Sequence, residues 1–213
     1  IEKESFDIVH CDSLQMARNV LKLNGIPKVL TEHNIESEIL GRVAANEVSI
    51  FKKLYFYLQY IKLRRYEIST CRKFERVIAV SEEDKRFLSK FIDEEKIAVV
   101  PNGVDCDYFR LPTIDHRLST AGYSLVFTGS MDWQPNDDAM VYFIKNIFPL
   151  IKEKESGASL TIVGRNPSKR LCRLAASDSA IKLAGKVDDV RPYVEKASVF
   201  VVPLRIGGGT RLK

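Results

Sequence analysis

Apolar residues in this chain come in short unbroken runs, separated by stretches where they recur every three or four positions. The runs read as buried strands and the spaced stretches as helices. Strands are predicted over 6–11, 28–33, 76–80 and 96–100. Between them, 14–23 has helical spacing that Asn24-Gly25 stops, and 36–74 is a long helical stretch in two pieces. Ser81 with Asp84 makes a capping-box-like helix start, and Pro101-Asn102-Gly103 signals a turn. Periodicity then lapses. The segment 112–122 is read as a linker between a domain over 1–111 and a second over 123–213.

In the second half the pattern restarts. Strands are predicted over 124–128, 158–163, 181–184 and 198–202. Helices are predicted from a cap at Asn136 or Asp137 to 154, over 169–175 and over 190–196, with a truncated one opening at Gly207. Strands alternating with helices imply an α/β fold of parallel sheets covered on both faces. Such sheets bind ligands beyond the carboxyl ends of their strands, so the chemistry is sought in the loops that follow strands.

Three strands in a row end in glycine, at Gly129, Gly164 and Gly185, and a fourth leads to Gly207-Gly208-Gly209-Thr210. Glycine at a strand-to-helix turn lets backbone N–H groups come close to a ligand, and the helix that follows adds its positive end. Phosphate is the natural guest. Arg165, Lys186, Arg205, Arg211 and Lys213 lie in or beside these loops and could neutralise a diphosphate, the arginines bidentately. A tight turn alone explains Gly129 and Gly185 equally well. The triple glycine favours phosphate, because bare backbone costs chain entropy unless something needs it. Neither a Walker loop nor a G-x-G-x-x-G fingerprint is present.

Composition narrows the picture. The 213 residues are 45% hydrophobic and 29% charged, and no apolar run is long enough to span a membrane. A net charge of +5 suits an anionic ligand or an anionic membrane surface but is too mild for nucleic acid. Cys11, Cys71, Cys106 and Cys172 lie far apart without C-x-x-C spacing, and with three histidines they form no metal motif. Scattered cysteines without an export signal suggest a reducing, cytoplasmic setting. The chain opens on Ile1 and stops at Lys213 inside a predicted helix start, so it is read as a fragment.

In order along the chain stand His10-Cys11-Asp12-Ser13, Thr31-Glu32-His33-Asn34, Val80-Ser81-Glu82 and Val100-Pro101-Asn102-Gly103-Val104-Asp105 with Phe109. Then come Phe127-Thr128-Gly129-Ser130, Ile162-Val163-Gly164-Arg165, Gly185-Lys186-Val187-Asp188-Asp189 and Val202-Pro203-Leu204 with 207–213. This ordered set resembles the retaining glycosyltransferases of the two-Rossmann (GT-B) type, family 4 or group 1. The stretch 129–136 is similar to a subgroup of bacterial polysaccharide and lipopolysaccharide assembly. The resemblance implies two Rossmann-like domains, both incomplete here. The N-terminal one would take a glycan or lipid-linked acceptor and the C-terminal one a nucleotide-diphosphate sugar, with no metal or other cofactor.

By the same resemblance His33 faces the donor sugar as the catalytic-site histidine, in a hydrogen-bonding rather than a general-base role. Gly129 and Ser130 approach the diphosphate. Gly185, Lys186, Val187 and Asp188 run beside the base, and Gly207, Gly208, Gly209 and Thr210 cover the sugar and diphosphate. Two departures stand out. The family's usual arginine after the first glycine and lysine five positions on are here Ser130 and Pro135, so Arg165 or Arg211 must supply the charge. Of the family's two glutamates, the first is absent near Gly208 and the second falls past Lys213, so the fragment by itself is expected to be inactive.

Such enzymes attack from the face the leaving group departs from, with the phosphate helping to take the proton, and the absence of an Asp-x-Asp at a strand end fits metal independence. His10 and Cys11 point to opposite sides of a strand and make no nucleophile pair. Trp133 either stacks near the donor or covers the sheet's end. The aromatic and basic stretch 51–76 reads either as a contact with anionic membrane or as an ordinary helix with a solvated basic face. A nucleotide-sugar epimerase and a non-catalytic nucleotide-sugar-binding protein are the rival functions.

Overall fold

The computed structural model describes residues 6–109 and 123–206, which form two compact units, one up to Val104 and one from Asp105 to Ile206. The linker expected at 112–122 and the loop 207–213 lie outside the described residues.

In the first unit, β1 (Val9–Cys11), β2 (Lys28–Glu32), β3 (Arg76–Ala79) and β4 (Ile97–Val99) form a parallel sheet in that order. Cys11, Leu30, Val77, Ala79 and Ile97 sink into one core with Leu14, Phe74 and Leu88. Around the sheet run α1 (Ala17–Val20), α2 (Glu36–Asn46), α3 (Ile50–Cys71) and α4 (Glu82–Leu88). The helical stretch 36–74 does divide in two, because Glu47 and Ser49 take extended backbone. The Ser81 hydroxyl accepts from the Asp84 amide at 3.1 Å, so the expected cap is made. The stretch 14–23 is less regular than its spacing suggests: a 3-10 turn over Leu14–Met16 precedes a single α-turn.

The second unit holds β5 (Ser124–Thr128), β6 (Ser159–Val163), β7 (Ile181–Gly185) and β8 (Val199–Phe200), parallel in the order β7-β6-β5-β8. Phe127, Leu160 and Ile162 are fully enclosed with Met140, Phe148 and Leu171, while Val126 and Val163 are buried on the opposite face. Burial on both faces is what makes these strands read as unbroken apolar runs. The helices are α5 (Gln134–Tyr142), α6 (Phe148–Lys154), α7 (Lys169–Ala176) and α8 (Arg191–Glu195). A π-helical turn over Phe143–Ile147 joins α5 to α6. Pro149 near the start of α6 cannot donate one turn back, and the widened turn absorbs the lost bond.

One element starts earlier than expected. Helix α5 begins at Gln134, with Trp133 in the capping position and Pro135 in its first turn, rather than at a cap on Asn136 or Asp137. Proline costs nothing there, since first-turn amides have no helical partner. Asn136 and Asp137 are used otherwise. The Asn136 amide donates to the Ser130 carbonyl at 2.8 Å, and the Asp137 carboxylate accepts from the Ser168 amide at 3.2 Å.

Candidate functional site: two carboxyl edges

Each sheet is parallel, so all its strands deliver their carboxyl ends to one edge. In the first unit that edge brings Asp12, after β1, beside His33, after β2. The His33 Nε2 lies 3.0 Å from Asp12 Oδ1, with the imidazole about half exposed. His10 is exposed, with Nε2 2.6 Å from Thr31 Oγ1, while its neighbour Cys11 is buried. The Cys11 thiol donates to the Ser13 carbonyl at 3.2 Å, and burial raises its pKa, which disfavours the thiolate.

Directly before His33, Glu32 is buried, and so is Glu67 of α3. The Cys71 thiol donates to Glu32 Oε1 at 3.6 Å, and the Ser37 hydroxyl and amide donate to Glu67. Burial first, then the Glu67 charge, pushes Glu32 up to about 9; burial pushes Glu67 up to about 7. At neutral pH Glu32 is therefore a neutral acid. Sequence reading missed this pair. The available signal was Glu67 falling on one helix face with Leu63, Thr70 and Cys71.

In the second unit, neighbouring strands bring Gly129, Gly164 and Gly185 together. The Gly129 amide donates to the Val163 carbonyl, Gly164 to Gly185 and Met131 to Arg165, each at 2.9 Å. These amides are therefore spent on extending the sheet and are not offered to a ligand. Gly164 is glycine for lack of room, since a Cβ there would lie 1.8 Å from the Gly129 carbonyl oxygen. Gly185 has φ +72°, the left-handed region where glycine carries no penalty. Lys186 and Asp188 beyond it are exposed and Val187 is half-buried.

Charge gathers at the same edge. The Ser130 hydroxyl donates to Asp132 Oδ1 and accepts from Arg165 Nε at 2.9 Å, and Arg165 lies 3.2 Å from Asp132 Oδ2. Hydrogen bonds from Ser130 and Asn166, with Arg165 behind them, hold the Asp132 carboxyl below its ordinary range. Arg205 is held by Asp138 at 2.6 Å and lies over the Tyr142 ring. Arg191 is clamped by Asp189 at 2.8 Å and stacks 4.0 Å over Tyr108. The arginine–carboxylate pairing was not foreseen, because a sequence shows cations near a loop but not which anions meet them. Trp133 is 41% exposed beside this edge. Asp105-Cys106-Asp107 is an Asp-x-Asp well past the end of β4, and the Asp105 carboxylate caps its own turn, accepting from Asp107 and Tyr108 amides. Gly207, Gly208, Gly209, Thr210 and Arg211 lie outside the described residues.

The sequence model described as "Glycosyltransferase Family 4" matches residues 1–108, and that of "Glycosyl transferases group 1" matches 122–213. The chain is 28% identical, over 95% of its length, to the "UDP-Gal:alpha-D-GlcNAc-diphosphoundecaprenol alpha-1,3-galactosyltransferase" of Escherichia coli. It is 23% identical, over 99%, to an "Uncharacterized 44.6 kDa protein in cps region" of Klebsiella pneumoniae. It spans about half of these relatives, 53% and 54% respectively. Sucrose-phosphate synthase from Thermosynechococcus elongatus shares the fold with a TM-score of 0.69 at 15% identity, over 96% of this chain and 52% of that one. The two parallel α/β units are thus those of the GT-B fold, and the chain belongs to glycosyltransferase family 4.

Proposed function

We propose that the protein carrying this chain transfers a sugar, with retention of configuration, from a nucleotide-diphosphate sugar to a glycan or lipid-linked acceptor. The first unit serves the acceptor and the second the donor. The observation that carries this is Arg165 bonded to Ser130. It sets a guanidinium one hydrogen bond from the position where the family has its diphosphate arginine. A fixed cation there stabilises the leaving diphosphate as charge develops on it. The name of the E. coli relative supports a UDP-sugar donor and a diphospholipid acceptor.

In the reaction the anomeric carbon–phosphate oxygen bond breaks and a bond to the acceptor oxygen forms on the same face. The acceptor proton passes to the departing phosphate. His33, oriented by Asp12, hydrogen-bonds the donor sugar. Lys186, Val187 and Asp188 run beside the base. Arginines do the work that a divalent ion does elsewhere, so chelation by EDTA leaves transfer unchanged. A lipid-linked acceptor puts the enzyme against the cytoplasmic face of a membrane, with 51–76 as the contact.

The test is full-length protein with a panel of nucleotide sugars and a lipid extract. Transfer to acceptor supports the reading. Donor conversion without acceptor marks an epimerase, and binding with neither marks a non-catalytic binder. His33→Ala is expected to lower transfer roughly a hundredfold while leaving UDP affinity unchanged. A parallel loss of UDP affinity would remove His33 from the sugar and assign it a structural role.

A further inference from the structure

Helix α3 has two faces that its sequence does not separate. Phe56, Tyr60, Leu63, Glu67, Thr70 and Cys71 lie on the inward side, the last three fully buried. The opposite side begins with Ile50, Phe51, Leu54, Tyr55 and Leu58, which are 74%, 84%, 58%, 59% and 49% exposed. Val48, just before the helix, is 97% exposed. At about 100° per residue these five share one arc, directly opposite the buried face. One turn further along the same arc the residues become Lys62 and Arg65, both exposed. An ordinary helix with a solvated basic face accounts for the later turns of α3. It does not account for five large apolar side chains held in water on the first ones.

We infer that the outward face of α3, from Val48 to Arg65, seats on an anionic lipid bilayer. The charge argues for lipid over a protein partner. Residues 48–66 contain five Lys or Arg and no Asp or Glu. Arg64 is spent inside the unit, stacked 4.8 Å from the Phe91 ring, which leaves Lys62 and Arg65 on the outward arc for headgroups. Lys62 and Arg65 lie on that arc, where their stems can run along it and their charged ends reach phosphate. The five apolar residues span about 12 Å of helix, and Lys62 follows about 6 Å on. Apolar turns followed by a basic collar suit insertion to the headgroup–acyl boundary. None of the described helices is long and apolar enough to cross a membrane, so α3 lies on the surface and does not span it.

This deepens the membrane contact of the reading above, and it is tested without donor or acceptor, so its failure leaves sugar transfer standing. Full-length protein is sedimented with phosphatidylglycerol–phosphatidylethanolamine vesicles and with pure phosphatidylcholine vesicles. Binding to the anionic vesicles is expected to weaken with added salt and to fall at least about tenfold in Phe51→Glu/Leu54→Glu and in Lys62→Glu/Arg65→Glu. Both pairs are exposed, and an unchanged melting temperature checks that they fold. Vesicle binding that both double variants retain would overturn the inference. So would wild-type protein that ignores anionic vesicles, or a dimer in light scattering that the Phe51→Glu/Leu54→Glu variant dissolves, which would assign the face to a second copy.

Discussion

The two carboxyl edges handle charge in opposite ways. The first unit buries carboxyl groups: Glu32 and Glu67 lie inside, raised towards neutrality or beyond by loss of water. The second keeps its ions outside and mutually satisfied, as Arg165 with Asp132, Arg191 with Asp189 and Arg205 with Asp138. Buried neutral acid fixes a scaffold and offers nothing to an anion. Exposed pairs hold a guanidinium in place at little cost, so an incoming diphosphate can exchange with a carboxylate. The contrast fits a first unit that positions one histidine and a second that receives a charged donor.

The largest effect should come from the tightest packing in the second unit. Gly164→Ala puts a methyl against the Gly129 carbonyl, a backbone group that cannot turn aside. A loss of about 3 kcal/mol in chemical denaturation is expected. A near-neutral variant would mean that the β5 and β6 ends are looser than they look.

The next effect separates the units by pH. Glu32 holds its proton in the fold up to about 9, against an ordinary 4.5, so the folded state binds more protons between those limits. Its contribution is fully present below the ordinary value and is lost as pH rises towards 9. Glu67 acts in the same direction, with its window closing near 7. Glu32→Gln should flatten the alkaline fall in stability, by about 1 kcal/mol or more between pH 5 and pH 8. An unchanged slope would show Glu32 ionised in the fold. The smallest effect is expected at Arg191→Ala, which breaks an exposed pair and a ring contact and should leave donor affinity unchanged. A clear loss of affinity would move the donor site towards α8.

Much of the fold was legible because parallel strands buried on both faces leave unbroken apolar runs, as at 124–128 and 159–163. Helix starts were legible where a side chain makes the cap, as at Ser81. Where the backbone makes it, as at Trp133, the start was misread. Strand-end glycines were visible, but their reasons were not: Gly164 answers to a carbonyl contributed from 35 positions earlier in the chain. The exposed face of α3 was hidden for a similar reason. Apolar residues lie on both of its sides, and only packing shows which side is covered.

The central claim is that Arg165 stands in for the family's missing diphosphate arginine, and titration calorimetry of UDP into full-length protein tests it most directly. The account predicts that Arg165→Ala weakens UDP roughly tenfold or more, while Asp132→Asn, which frees the guanidinium and removes the competing charge, weakens it not at all. Equal UDP affinity in wild type and Arg165→Ala would contradict it.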